Sequence, residues 1–77
     1  MITSEQIKMA RAALGWSIDY LASQTEISSR TIKRIEASAG MPQSTKANLK
    51  LIRETLEVAG IEFVGAPGDG PGVRLWK

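Results

Sequence analysis

Three residues, Thr25-Glu26-Ile27, separate two short segments that both carry helix signals, and that brevity constrains the fold more than any other feature of the chain. Ser17 caps a helix expected to run to about Gln24, and Ser28 caps one expected from Ser29 to about Ala37. Helices joined this tightly cannot lie antiparallel; they have to cross steeply. A steep crossing needs a small residue in the first helix where the second approaches, and Ala22 supplies it. It also needs apolar contacts at fixed offsets, which Leu21, Ile27, Ile32 and Ile35 provide.

The flanks read as further helices. Thr3 and Gln6 form a capping box that opens a helix through about Leu14, closed by Gly15. Gly40 and Pro42 break the chain after the third helix, and Ser44 is expected to cap a fourth, Thr45 to Ala59, that stops at Gly60. In this fourth helix Leu49, Ile52, Leu56 and Ala59 make a core stripe, while Ala47, Leu51 and Val58 form a second apolar line beside it. Lys46, Lys50, Arg53 and Glu57 make its wet face, with Lys50–Glu54 and Arg53–Glu57 spaced for ion pairs.

Beyond Gly60 the pattern changes to two β-type runs, 61–64 and 73–76, across a glycine- and proline-rich loop at 65–72. A lone two-stranded ribbon is barely stable, so it has to pack on the helices or add its edge to another chain; a disordered tail is the competing expectation. The expected fold is mainly α, with a four-helix domain at 1–60 followed by a short C-terminal β-ribbon at 61–77. Trp16 and Tyr20 are expected to anchor the core, and Phe63 to face the helices with Ile61. Trp76 alternates away from Val73 and Leu75, either to seal a dimer interface, the favoured expectation, or to lie on the surface.

Seventy-seven residues make one domain with a thin core. The chain has neither cysteine nor histidine, so no disulfide, metal or cofactor is expected. Extra burial would then come from a second copy. No signal-peptide pattern and no membrane-spanning run are visible, so the expected location is cytoplasmic, away from membranes. An enzyme is not expected: no nucleophile–base set is available, and no helix follows Gly65–Gly72 to make a phosphate-binding loop.

Charge is unevenly spread. From Ser28 to Arg53, Arg30, Lys33, Arg34, Lys46, Lys50 and Arg53 stand against the single acid Glu36. Elsewhere Lys8, Arg11, Arg74 and Lys77 are outnumbered by Glu5, Asp19, Glu26, Glu54, Glu57, Glu62 and Asp69. A basic middle on an acidic background suits a polyanion-binding surface, though solvated helix faces give the same tally. Arg11 lies in the apolar stripe of Ile7, Ala10 and Leu14 and wants an acid; Glu36 is the one acid in the basic segment, so Arg11–Glu36 reads as a structural salt bridge.

With its flanking helices and the Gly15-Trp16-Ser17 junction, the stretch from Ser17 to Glu36 resembles the helix-turn-helix of the phage-repressor (XRE-type) family. Residues from Thr3 to Gly60, about three quarters of the chain, are similar to that family's four-helix, lambda-repressor-like DNA-binding domain. The resemblance implies sequence-specific binding of double-stranded DNA by a small transcriptional regulator, a repressor by expectation, with helix 29–37 in the major groove. Position by position, Ser29, Arg30 and Arg34 match base-reading sites, and Lys33 reaches a base or a phosphate. Ser28 and Thr31 match phosphate-holding positions, and Gln43, Ser44 and Lys46 flank the DNA backbone. An arginine fork fits guanine O6 and N7, discriminating by about 1–3 kcal/mol.

The family also pairs the positions of Arg11 and Glu36. Two departures stand out: Ile18 replaces a customary glutamine, and Glu26 occupies a turn position usually held by glycine, where positive φ is required. The implied assembly is a homodimer through the fourth helix and the C-terminal ribbon, with half-sites roughly 34 Å apart. The alternative is an antitoxin-like or adaptor module that uses the same fold mainly to bind a protein partner.

Overall fold

The computed structural model describes residues 2–42 and 44–76. Over these residues the chain forms α1 (Ser4–Leu14), α2 (Ile18–Thr25), α3 (Ser29–Ala37) and α4 (Lys46–Val58), followed by strands β1 (Ile61–Val64) and β2 (Gly72–Leu75). The two strands pair antiparallel, Ile61 opposite Leu75 and Val64 opposite Gly72. The ribbon lies across the helices, β1 against α4 and β2 against α1.

Local chemistry accounts for most boundaries. Thr3 and Gln6 form the full capping box: the Gln6 amide donates to Thr3 Oγ1, and the Thr3 amide donates to Gln6 Oε1. At the other end Gly15 turns left-handed, φ 70°, and its amide and that of Trp16 donate back to Ala12 and Arg11 carbonyls. Ser17 and Ser28 cap α2 and α3 through the amides of Tyr20 and Thr31. Between them Glu26 takes φ 58°, the one non-glycine residue with positive φ among the described residues. Thr25 steadies that turn: its hydroxyl donates to the Leu21 carbonyl and accepts from the Ile27 amide.

Four expectations need correcting. Thr45 and not Ser44 caps α4, its hydroxyl accepting from the Asn48 amide at 3.1 Å, so the helix runs from Lys46 to Val58. Adjacent serine and threonine are equally good caps, and the core stripe is the same from either start. Tyr20 is exposed and rests edge-on against Trp16, ring centres 4.8 Å apart; only Trp16 of the pair packs on the core. β2 begins at Gly72 and ends at Leu75, one residue early, although the Trp76 amide still closes a rung on the Gly60 carbonyl at 2.7 Å. Of the two ion pairs expected along α4, Arg53–Glu57 forms at 3.2 Å and Lys50–Glu54 does not.

One core joins every helix and the ribbon. Ile7 and Ala10 of α1, Leu21 of α2, Ile32 and Ile35 of α3, and Leu49, Ile52 and Leu56 of α4 are buried together with Ile2, Ile27 and Ile61. Phe63, Val73 and Leu75 cover it from the ribbon side. Ala22 is half-buried against the same cluster, where the short α2–α3 connection demands a small side chain.

The ribbon is held by more than apolar contact. Gln6 is buried, and while its Oε1 serves the cap, its Nε2 donates to the carbonyls of Val64 and Gly72 at 3.0 Å each. Gly60 has to be glycine: a Cβ there would lie 2.7 Å from the Trp76 carbonyl oxygen. Replacing Gln6 with leucine keeps the volume and removes three hydrogen bonds to buried or half-buried backbone groups. A loss of about 2–4 kcal/mol is expected in urea unfolding; a loss under about 0.5 kcal/mol would show that the cap and the ribbon hold without it.

Candidate nucleic-acid interface

The basic segment divides by helix periodicity into an inner and an outer face. On α3, Ile32, Ile35 and Glu36 are buried, whereas Arg30, Lys33 and Arg34 are exposed. Arg30 and Arg34 stand one turn apart with Lys33 beside them. None of the three side chains has a hydrogen-bond or ion-pair partner among the described residues. Their charge is therefore uncompensated inside the domain and faces outward from one helix surface.

The back of α3 is fixed by polar bonds as well as by packing. Glu36 receives the Arg11 guanidinium as a fork, Nε to Oε2 at 2.9 Å and Nη2 to Oε1 at 2.8 Å. Arg11 Nη1 donates in addition to the Trp16 carbonyl at 3.0 Å. The Glu36 hydrogen bond, helped by its charge and opposed by burial, raises the guanidinium pKa above its ordinary value, so Arg11 keeps its proton. Ser4, fully buried, donates its hydroxyl to the Ile35 carbonyl at 2.7 Å, and its amide donates to the Gly40 carbonyl. The end of α3 and the loop after it are thereby tied to the start of α1.

At the start of α3, Ser28 and Thr31 engage each other. The Ser28 hydroxyl accepts from the Thr31 amide at 3.1 Å and donates to the Thr31 hydroxyl at 2.9 Å. Ser29 donates to Asp19 Oδ1 of α2 at 2.6 Å, so a carboxylate sits directly beside the first turn of α3. Sequence reasoning missed Asp19: an acid in the first turn of α2 reads as an ordinary partner of the helix dipole, and only the α2–α3 packing brings it to Ser29.

Thus Ser28, Ser29, Arg30, Thr31, Lys33 and Arg34 are gathered on the first two turns of one helix. Ser44 and Lys46 belong to a separate place, the entry to α4, and Gln43 lies outside the described residues. Lys46, Lys50 and Arg53 rim a shallow groove floored by Ile2 and Leu49. Arg53 is already engaged there, with Glu57 and with the face of the Phe63 ring 5.9 Å away.

Comparison of the chain with protein-family models, with curated proteins and with solved structures gives no match. Among the described residues no group of histidine, cysteine, aspartate or glutamate is placed to hold a metal, and no helix is long and apolar enough to cross a membrane.

Removing one partner of the Arg11–Glu36 fork leaves a charge with little access to water. Arg11→Ala is expected to cost about 3 kcal/mol or more in chemical denaturation. A cost below about 1 kcal/mol would mean that solvent screens the pair and that packing alone sets α3.

Proposed function

We propose that this chain binds double-stranded DNA in a sequence-specific manner as a small transcriptional regulator, with α3 as the helix that enters the major groove. The observation that carries the reading is the outer face of α3: Arg30, Lys33 and Arg34 exposed and unpaired, on a helix whose opposite face is locked into the core. A helix about 10–12 Å across fits the B-DNA major groove. Two guanidiniums on one face can reach adjacent base edges while Lys33 meets the backbone.

Further support comes from the arrangement around α3. Its entry is a short turn at Glu26-Ile27-Ser28, with Glu26 in the left-handed conformation that the phage-repressor resemblance requires. The Arg11–Glu36 fork joins the two positions that this family pairs. Both are consistent with a lambda-repressor-like helix-turn-helix domain whose phosphate contacts come from Ser28, Thr31 and the start of α4 around Gln43, Ser44 and Lys46. Asp19 tempers the surface, because its carboxylate holds Ser29 and repels phosphate. Ser29 has to leave Asp19, or contact DNA with its remaining lone pair, to serve as a base reader.

A regulator of this kind acts by occupying a site, as a homodimer on paired half-sites. The second reading, contact with a protein partner, has its own observation: Val58 on α4 is 90% exposed and Leu51 42%, more apolar surface than DNA binding needs.

Selection of duplexes from fragmented DNA tests the proposal. The chain is expected to enrich a two-fold symmetric sequence, and an Arg30→Ala/Arg34→Ala variant is expected to lose that enrichment. Each single alanine change is expected to cost about 1–3 kcal/mol on the selected site and much less on random DNA. Equal losses on both would make the arginines phosphate contacts, and no enrichment by the native chain would overturn sequence-specific binding. Asp19→Asn is expected to tighten binding to any duplex by about 0.5 kcal/mol at low salt, with the gain fading as salt is added; unchanged affinity at low salt would place the carboxylate away from the phosphates.

A further inference from the structure

Two hydroxyls on the first turn of α3, those of Ser29 and Thr31, are left with opposite hydrogen-bonding directions. Ser29 gives its only hydroxyl proton to Asp19 Oδ1 at 2.6 Å, and a carboxylate has none to return. Toward any incoming group Ser29 Oγ is therefore an acceptor alone, and so is the exposed Asp19 beside it. Thr31 is the reverse case. Its hydroxyl oxygen accepts from Ser28 at 2.9 Å, and its own proton goes to no partner among the described residues. A free proton suits an oxygen such as that of a phosphate, whereas a free lone pair suits an N–H.

We infer that Asp19 makes Ser29 select a base that carries an amino group, adenine or cytosine, on the strand that the first turn of α3 faces. In the major groove the donors are adenine N6 and cytosine N4; guanine N7 and O6 and thymine O4 are acceptors. Against an acceptor, Ser29 Oγ meets a lone pair with a lone pair, and the Asp19 charge adds repulsion. Against an amino group it gains a hydrogen bond to an oxygen that the carboxylate already polarises. Turning the hydroxyl round would give up its charge-assisted bond to Asp19, so the direction persists on binding. Arg30 and Arg34 have the opposite character: they carry only donors and suit guanine. Ser29 and Arg30 are consecutive, so the amino-bearing base falls within about two base pairs of an arginine-read guanine. Asp19 is a positioning residue here, since it acts on the base through Ser29.

The inference rests on the proposed reading, which puts α3 in the major groove, and the experiment separates the two. The duplex selected by the native chain is remade with every base pair at every position. Affinities of the native, Asp19→Ala and Ser29→Ala chains are then measured across the set by fluorescence anisotropy at one salt concentration. The native chain is expected to show, beside an arginine-dependent guanine, one position where adenine and cytosine are preferred to guanine and thymine by roughly five- to ten-fold. Asp19→Ala frees the Ser29 hydroxyl to donate as well as accept. That preference is then expected to fall below about two-fold, while those read by Arg30 and Arg34 stay as they were. Ser29→Ala is expected to lose the same preference, and the double variant to lose no more than either single change. Preference at one position is a readout that folding and overall charge do not move, since both change every affinity alike.

A native chain that selects no duplex overturns the proposed function and this inference with it. A selected duplex without such a position overturns this inference alone and leaves the arginine readout standing. A preference for the amino-bearing base that persists in Asp19→Ala or in Ser29→Ala does the same.

Discussion

The Arg11 guanidinium holds together the parts of the fold that otherwise have least reason to stay in place. It projects from the last turn of α1, takes both oxygens of Glu36 at the end of α3, and gives its remaining terminal nitrogen to the Trp16 carbonyl in the α1–α2 junction. Glu36 is buried and needs a partner of this kind, because an unpaired carboxylate there would carry a heavy desolvation cost. The pair adds little net stability compared with apolar residues of equal size, but it admits one arrangement of α1, α2 and α3. Packing by isoleucine and leucine is less particular about angle. Among the described residues no buried side-chain nitrogen or oxygen lacks a hydrogen bond, so the polar groups and the core agree on one geometry.

The structure also separates basic side chains that are free from those already engaged. Arg11 is committed to Glu36, Arg53 to Glu57 and Phe63, and Arg74 to Glu62 and the Trp76 ring. Arg30, Lys33 and Arg34 have no such commitment. Net charge conceals this difference, since the chain as a whole is only +2. What an approaching polyanion meets is local: uncompensated cations on a helix surface, together with the amides of the first turn of α3, two of which lack intrahelical partners and are not taken by the Ser28 cap.

Much of this was legible in the sequence because the signals were local. A capping box has both halves within four residues, Gly15 and Ser28 act on their own turns, and Arg11–Glu36 joined an arginine in an apolar stripe to the one acid of the basic segment, at positions that the resembled family pairs. The misses share a different cause. Ser44 and Thr45 are adjacent and equally good caps, so residue type alone does not choose between them. Tyr20 looks like core material, yet helix α2 turns its ring to the edge of Trp16 and to solvent. The two contacts from Gln6 to the ribbon span separations of 58 and 66 residues and were invisible behind its capping role. Asp19 against Ser29 depends on the packing of α2 on α3. Residues with one evident local role proved the hardest to read for a second, distant one.

The proposed DNA surface lies on α3, and the homodimer contact that the resemblance implies lies on α4 and the ribbon; this division has a thermodynamic consequence. A small contact between copies leaves a chain largely monomeric at low concentration. Two half-sites on one duplex then raise the effective concentration of the second copy, so DNA and self-association strengthen each other by the same factor. Specificity gains from this coupling: a single half-site retains only one α3 and its few base contacts, while a correctly spaced pair retains both and the contact between copies as well. On the proposed reading, weak association leaves more of this coupling to be gained on DNA, because a dimer that was already tight in solution would gain nothing further from finding its partner there.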